Sequence, residues 1–396
     1  MEDRTRVIHV RILMVPPRYG SELVGGAENL MGALARHAAA AGMDVEVATT
    51  CAADTATWAN RLPAGETLEG GLVVRRFPVT PRDARRHGQL ATQLAHGAGL
   101  SALDEADLLA TSVWSEELQR FIDRHGRDFD AILFTPYLFG TTFWGAQSWP
   151  ERTAIIPCLH DEPYAHLKCV QEVLRAVPLL LYNARGEQRL AQRLLGSTGG
   201  VVVGMGFDTP AAPAVPGFAR RHGLGEYVLY AGRLEEGKRV DVAARYVADF
   251  ARRHDSNIKL AVIGSGPWEP APEIADSVEM LGFVSADEKR SAMAEAVALV
   301  NPSELESFSI VLLEAWLEGT PAIVAAGSEV MADHCSDSGG GFTFRDQPDF
   351  DRALLTLLDS PGDRVAMGER GREYVESRYS WSKVMSRFEQ ALSAFS

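Results

Sequence analysis

Short apolar runs alternate with stretches of helical periodicity along most of the chain. In the first half the apolar runs are residues 10–15, 45–49, 72–77, 131–134, 154–158, 179–182 and 201–203. Helical patterns separate several of them, at residues 27–41, 105–124 and 185–195. This βαβ alternation predicts a parallel sheet covered by helices. Near-continuous apolar strands are typical of a sheet that is buried on both faces.

A proline-rich segment then interrupts the pattern. Residues 209–217 read Thr-Pro-Ala-Ala-Pro-Ala-Val-Pro-Gly, which cannot continue a helix or a central strand and predicts a linker. The alternation restarts with apolar runs at 227–231, 258–263, 278–283, 298–301, 322–325 and 341–344, and with helices at 240–254, 286–296 and 308–317. Three helical stretches, 349–358, 364–374 and 381–395, end the chain.

The sequence therefore predicts two doubly wound α/β domains, residues 1–205 and 206–376, on either side of a deep cleft. In such sheets ligands bind beyond the carboxyl ends of the strands. We therefore expect chemistry in loops that follow strands.

The charge of the chain limits its partners. Lys+Arg 39 against Asp+Glu 53 gives 39 − 53 = −14. Residues 1–200 hold 20 basic and 23 acidic side chains (−3), which leaves 19 and 30 (−11) for residues 201–396. A general nucleic-acid binder needs a basic surface, so this class is disfavoured. Any polyanion bound by the second half must be held by a few focused cations.

Targeting and cysteine signals are weak. Cys51, Cys158, Cys169 and Cys335 form no CxxC pair, so neither a zinc ribbon nor a redox motif is indicated. The first residues lack the pattern of a signal peptide. No stretch reaches about 18 apolar residues, as a transmembrane helix requires. We expect a cytoplasmic protein.

Two cations follow a strand in the second half. The segment 230–238, Tyr-Ala-Gly-Arg-Leu-Glu-Glu-Gly-Lys, places Arg233 and Lys238 in a glycine-containing loop. Converging there, the planar fork of Arg233 and the point charge of Lys238 can hold a diphosphate. The alternative is that both are solvated surface residues.

Two carboxylates lie eight residues apart, Glu306 in the loop after a strand and Glu314 in the helix that follows. Eight residues is a little over two helical turns, so both can line one side of the same ligand site. Glu314 lies in an apolar stretch and needs a partner. Ribose hydroxyls would suit it, and a structural ion pair with a nearby Arg or Lys is the alternative.

The first half offers two weaker signals. Gly25-Gly26-Ala27-Glu28 follows a strand and precedes a long helix, so its backbone can approach a phosphate or sugar hydroxyl, or form a plain turn. His160 follows the strand at 154–158 and can contact a substrate, or be satisfied by polar neighbours. Asp128-Phe-Asp130 resembles a metal-binding Asp-x-Asp, but it precedes its strand and is interpreted as a loop. The glycine-rich runs at 203 and 264 lack the third glycine of a dinucleotide loop.

Taken together, these motifs resemble the retaining glycosyltransferases of family 4, which have the GT-B architecture of two Rossmann-like domains. The resemblance also includes Ile263-Gly-Ser-Gly-Pro267, Leu281-Gly-Phe-Val284 and Gly319-Thr-Pro321. It runs over nearly the whole chain. The closing Tyr379-Ser-Trp381 resembles the family's last helix, which implies that residues 377–396 pack back on the first domain.

The resemblance implies a role for each residue. Arg233, Lys238, Glu306 and His160 would be the catalytic group, with Arg233 and Lys238 on the donor diphosphate and Glu306 and His160 on the sugar. The donor would also contact Gly25, Gly26, Gly232, Phe283, Phe308, Ser309, Ile310 and Glu314, of which Glu314 binds the ribose and Phe283 faces the base. No metal and no other cofactor is expected. One departure is Ser309, where the family usually has glycine, and it puts the donor sugar in question.

The partners implied are a nucleotide-sugar and a soluble small-molecule or glycan acceptor, with at most weak membrane contact and a homodimer left open. The aromatic segment 134–144 is a candidate acceptor wall, with a core cluster as the alternative. A nucleotide-sugar epimerase, a phosphorylase and a non-catalytic nucleotide-sugar-binding scaffold on the same fold also remain open.

Overall fold

The computed structural model describes residues 10–20, 25–196 and 199–395. These residues divide into two compact units. The first comprises the chain up to Gly206 together with the segment from Trp381 onward, and the second is Phe207–Ser380.

Each unit is built on one sheet of short strands, most of which are buried. The strands of the first unit are β1 (Arg11–Val15), β2 (Asp44–Thr50), β3 (Gly65–Glu69), β4 (Leu72–Phe77), β5 (Ala131–Phe134), β6 (Thr153–Ile155), β7 (Leu179–Tyr182) and β8 (Gly200–Val202). Those of the second unit are β9 (Tyr227–Ala231), β10 (Lys259–Ile263), β11 (Val278–Gly282), β12 (Leu299–Asn301), β13 (Ala322–Ala325) and β14 (Gly341–Phe344).

The strand orders are β3-β4-β2-β1-β5-β6-β7-β8 and β11-β10-β9-β12-β13-β14. All described pairings between these strands are parallel except β3 with β4. Each order reverses direction at one point, between β1 and β5 and between β9 and β12. The loops that follow those strands are where a doubly wound sheet binds ligands.

Helices connect the strands and cover the sheets. In the first unit they are α1 (Gly26–Ala40), α2 (Ala84–Ala95), α3 (Ala102–Ala110), α4 (Glu116–His125), α5 (Gly140–Gly145), α6 (Lys168–Ala176) and α7 (Arg185–Leu195). In the second unit they are α8 (Phe218–Arg221), α9 (Val240–His254), α10 (Ala286–Glu295), α11 (Ile310–Leu317), α12 (Glu329–Ser338), α13 (Gln347–Asp359) and α14 (Pro361–Tyr379). The final α15 (Trp381–Leu392) belongs to the first unit.

Sequence periodicity and structure differ at one long helix. The single helix expected over residues 105–124 is wrong, because the chain forms α3 and α4 with a break between them. Ser115 begins the second of these helices: its hydroxyl accepts a hydrogen bond from the Leu118 N–H at 3.2 Å. A serine N-cap satisfies a backbone donor that no helical carbonyl can reach, so a new helix starts there.

The last helix packs on the first. The indole of Trp381 stacks on the His37 ring of α1, with centroids 3.9 Å apart and planes 13° from parallel. The Arg387 Nε donates to the Val203 carbonyl at 3.0 Å, just beyond β8. Among the helices described, none combines the length and the apolar composition needed to cross a bilayer.

Candidate active site

The loops after β9 and β12 bring Lys238 and Glu306 together. The two strands are neighbours in the second sheet, so their carboxyl ends share one edge. Lys238 ends the short 3-10 turn Glu236–Lys238, and its Nζ lies 2.7 Å from the Glu306 Oε1. The side chains are 25% and 12% exposed. The pair is therefore partly shielded from water, which strengthens its electrostatics.

Hydrogen bonds to the backbone hold the loop after β9, which carries Arg233 and Lys238. The Gly232 N–H donates to the Ile263 carbonyl at 2.9 Å. The Tyr230 hydroxyl donates to the Arg233 carbonyl at 2.7 Å, and burial raises the pKa of Tyr230, which keeps the hydroxyl a donor. The Arg233 side chain is 60% exposed and lies 3.1 Å from Glu235. Arg233 therefore has a fixed backbone and a solvent-exposed guanidinium.

The turn before α11 is fixed by a residue in an unusual conformation. Ser309 has φ 64° and ψ 67°, in the left-handed region that favours glycine. Its hydroxyl accepts a hydrogen bond from the Asn301 Nδ2 at 3.1 Å, and the Asn301 Oδ1 accepts from the Ser303 N–H at 3.1 Å. Asn301 at the end of β12 thus links the strand to the start of the helix.

Phe308 anchors the same turn from below. Its ring is buried and packs against Phe207, His334 and Tyr379, with centroids 6.2, 5.5 and 5.2 Å away. The side chain is therefore part of a core. What this segment can offer a ligand is its backbone and the N-terminus of the helix that begins at Ile310.

Glu314 is held in an ion pair, whereas the Phe283 side chain is exposed to solvent. The Lys289 Nζ of α10 lies 2.7 Å from the Glu314 Oε1, with side chains 32% and 29% exposed. Both carboxylates named from the sequence therefore have a lysine partner, which is the ion-pair alternative. Phe283 follows β11 and is 74% exposed, so its ring is available to stack on a flat ligand.

In the first unit, His160 lies in a loop further from its strand than expected. The strand anticipated to residue 158 ends at Ile155. The His160 Nδ1 lies 3.3 Å from the Glu162 Oε1, and the same oxygen accepts a hydrogen bond from the Tyr137 hydroxyl at 2.9 Å. With a quarter of its side chain exposed, His160 is oriented by Glu162 and remains accessible.

Gly25 and Gly26, at the start of α1, lie near the Glu28 carboxylate, which is paired with Arg18. A Cβ on Gly25 would collide with the Glu28 Oε2, so a larger residue there would displace this carboxylate. Gly26 is the first residue of α1. The Arg18 Nε lies 2.9 Å from the Glu28 Oε1, and both side chains are largely buried. No pattern in the sequence pointed to Arg18, because the pairing depends on how the loop after β1 folds.

Glu187 is a second residue that the sequence did not reveal. It is 1% exposed, on the first turn of α7. Its Oε1 accepts a hydrogen bond from the Leu159 N–H at 2.6 Å and its Oε2 from the Asn183 N–H at 2.5 Å. Burial raises its pKa to about 8, against the lowering effect of those N–H groups. Glu187 therefore fastens the backbone next to His160. A glutamate in the first turn of an amphipathic helix was the only available signal.

The residues named in the second unit suit a ligand that carries phosphate, hydroxyl groups and a flat ring. Lys238 and Arg233 supply positive charge, Glu306 and Glu314 supply acceptors for hydroxyls, and Phe283 supplies an exposed ring.

The Asp-x-Asp run of the first unit has a structural contact. Its Asp130, just before β5, accepts a hydrogen bond from the Arg11 N–H at 2.8 Å. Within the described ranges, no three His, Cys, Asp or Glu side chains are grouped so as to hold a metal ion.

Comparisons with known proteins agree with this fold. Residues 220–374 match the family model "Glycosyl transferases group 1". The D-inositol 3-phosphate glycosyltransferase of Kineococcus radiotolerans is 26% identical over 94% of this chain and 91% of its own length.

Two solved structures share the fold. The sucrose-phosphate synthase of Thermosynechococcus elongatus superposes with a TM-score of 0.72 at 17% identity, covering 98% of this chain and 100% of that one. The HepE protein of Anabaena in complex with UDP-glucose has a TM-score of 0.70 at 14% identity, covering 98% and 100%. The predicted GT-B architecture of two Rossmann-like α/β domains is confirmed, and the residues that match the glycosyl transferases group 1 model lie in the second unit.

Proposed function

We propose that the protein is a retaining glycosyltransferase, which moves a sugar from a nucleoside-diphosphate sugar to an acceptor hydroxyl. The observation that carries the proposal is the Lys238–Glu306 pair at the β9–β12 edge, with an Nζ–Oε1 distance of 2.7 Å. A cation for phosphate and a carboxylate for hydroxyls lie together where a doubly wound sheet binds ligands. The UDP-glucose complex of the HepE protein supports this choice of donor.

In this proposal the donor lies along the edge of the second sheet. Lys238 and Arg233 hold the diphosphate, and the N-terminus of α11 at Ile310 adds its partial positive charge. Glu314 accepts hydrogen bonds from the ribose, and Phe283 stacks on the base. Binding would require Lys289 to yield one carboxylate oxygen of Glu314, which is feasible for a partly exposed ion pair.

The reaction is a substitution on one face of the sugar. The bond from the anomeric carbon to the diphosphate oxygen breaks, and the acceptor oxygen forms its bond on the same face. The acceptor proton passes to the departing diphosphate, so no enzyme nucleophile is needed. Lys238 stabilises the charge that grows on the leaving group, which is commonly the largest catalytic contribution. Glu306 orients Lys238 and accepts hydrogen bonds from the sugar hydroxyls.

The remaining residues have supporting roles. His160 contacts the sugar through its Nε2, while its Nδ1 donates to the Glu162 carboxylate. The backbone of Gly25 and Gly26 approaches phosphate or sugar. We propose that the cations make a divalent metal unnecessary, and that the acceptor is a soluble polyol or glycan. The D-inositol 3-phosphate named for the Kineococcus relative is one such polyol.

The direct test incubates the protein with UDP-, GDP- and ADP-sugars together with inositol phosphates and simple glycosides, with and without a chelator. NMR of the product gives the anomeric configuration. Retained configuration, insensitive to the chelator, supports the proposal. An inverted product refutes the retaining mechanism. Activity that needs inorganic phosphate and no acceptor hydroxyl identifies a phosphorylase instead.

Variants test the site assignment. Lys238→Ala and Glu306→Gln should each lower kcat by about 100-fold or more. The first removes the charge that stabilises the leaving group, and the second removes the carboxylate that orients Lys238 and binds the sugar hydroxyls. Lys259→Ala is the matched control, since this lysine forms a looser surface pair with Glu279, at 3.8 Å. Full turnover in both site variants would refute the assignment.

A further inference from the structure

The aromatic segment 134–144 separates into two groups. Phe134, Tyr137 and Phe143 are buried in the core of the first unit, as the core alternative predicted. Trp144 is different, because its indole lies at the wall of a cavity on the helical side of the first sheet. Trp114, between α3 and α4, packs beside it, with ring centroids 6.5 Å apart and planes 49° from parallel.

This Trp114–Trp144 cavity has a volume of 420 Å³, within the range of about 300–1,000 Å³ that small-molecule sites occupy. Apolar and polar groups share its wall. Besides the two indoles, the lining side chains include Gln119, Asp123, Gln147 and Ser148. The cavity is formed by the first unit alone and shares no residue with the donor residues of the second unit.

The polar side is ordered by its own hydrogen bonds. The Gln119 Nε2 donates to the Ser148 Oγ at 2.6 Å, and that hydroxyl donates to the Asp123 Oδ1 at 2.7 Å. Within the described part of the chain, neither the side-chain amide oxygen of Gln119 nor the Asp123 Oδ2 accepts a hydrogen bond from the protein. The cavity therefore presents two positioned acceptor atoms that would take hydroxyl hydrogens from a ligand.

One donor is also unsatisfied. The Trp144 Nε1 is buried and has no hydrogen-bond partner among the described atoms. A buried polar group without a partner is uncommon and calls for an explanation such as a water molecule or a ligand.

We propose that the Trp114–Trp144 cavity is a binding site for a neutral saccharide. Indole faces carry negative potential and attract the C–H faces of a sugar, while Gln119 and Asp123 accept hydrogen bonds from its hydroxyls. Among the described lining residues, Asp123 alone is charged, so phosphates and other anions are disfavoured. The proposal goes beyond the transfer reaction and does not depend on it, because it concerns binding to the first unit without nucleotide.

Saturation-transfer difference NMR on the full-length protein tests it directly. The probes are the methyl glycosides of glucose, mannose, galactose and N-acetylglucosamine, then maltose and cellobiose, all without nucleotide. We expect at least one to bind with a Kd of about 1 mM, with transfer strongest on the protons of one ring face. Tighter binding of a disaccharide identifies a longer glycan as the ligand, and equal binding identifies a single ring. Both support the site.

Variants assign the signal to the cavity. Trp114→Ala and Gln119→Ala should each weaken binding by about tenfold, the loss expected when one good contact is removed. Gln93→Ala is the matched control, since Gln93 lies on α2 of the same unit and outside the cavity. If Trp114→Ala fails to fold, Gln119→Ala alone decides the assignment.

Three results would overturn the proposal. One is the absence of transfer to every saccharide. Another is unchanged binding in Gln119→Ala, and the third is binding of an aromatic probe such as indole in place of any sugar. A separate calorimetric titration with UDP and GDP measures the donor site. Loss of nucleotide binding there would refute the proposed function and leave the saccharide result standing.

Discussion

Replacing Glu187 by glutamine tests whether a buried carboxyl group holds the loop that carries His160. In the wild type its two oxygens accept the Leu159 and Asn183 N–H groups, and burial raises its pKa to about 8 from the ordinary 4.5. Glutamine has nearly the same shape and cannot titrate. The variant therefore removes the proton equilibrium and leaves most of the packing.

The sign follows from the raised pKa of Glu187. A pKa raised in the folded state means that the folded protein binds the proton more tightly than the unfolded chain does. The stability this gives is complete below about pH 4.5 and is lost as the pH rises to about 8. A tenfold difference in proton affinity between the two states corresponds to about 1.4 kcal/mol. Across the whole window the wild type should lose on the order of 5 kcal/mol relative to Glu187→Gln.

Calorimetric unfolding at about pH 5, 6, 7 and 8 measures this difference. For a domain of this size, about 1 kcal/mol shifts Tm by 2–4 °C, so the wild-type minus variant Tm should fall by on the order of 10 °C over the series. A constant offset reports only the exchange of an oxygen for an amide, so the slope is the observable. Glu151→Gln controls for the loss of one carboxylate. Parallel curves for wild type and Glu187→Gln would refute the reasoning.

Three further substitutions address backbone and packing. Ser309→Gly relieves a left-handed residue but removes the bond to Asn301, so we expect a stability change within about 1 kcal/mol; a larger loss in denaturant titration would contradict this balance. Gly264→Ala would place a Cβ against the Gly232 carbonyl oxygen, at a φ of +144° that favours glycine, and should abolish nucleotide binding or folding. A variant that binds nucleotide and unfolds like the wild type in calorimetry would contradict this prediction. Trp381→Ala leaves a cavity under α1 and should cost about 3–5 kcal/mol, seen as a lower Tm; a shift within error would mean that the last helix contributes little.

The fold class, which depends on the order of strands and helices along the chain, was confirmed. The alternation of apolar runs with helical patterns was enough to predict doubly wound α/β domains, since a βαβ unit has few ways to bury its strands. The GT-B class was implied by the resemblance of the motifs. The alternation failed where periodicity continues through a break, as in residues 105–124. It also missed β3, a largely exposed antiparallel strand with little apolar pattern. The roles assigned to Lys238, Glu306 and His160 stay predictions for the assays above.

The sequence by itself determined the two α/β domains and the loops that carry the proposed donor residues, because both follow from spacing between neighbours along the chain. Only the tertiary structure decided the partners. Lys238 reaches Glu306 across 68 residues, Lys289 reaches Glu314 across 25, and Glu187 reaches Leu159 across 28. Such pairings depend on which strands are adjacent and on where each helix begins. The buried Glu187 carboxyl group and the Trp114–Trp144 cavity form only when the folded chain excludes water. Neither can therefore be predicted from composition or periodicity.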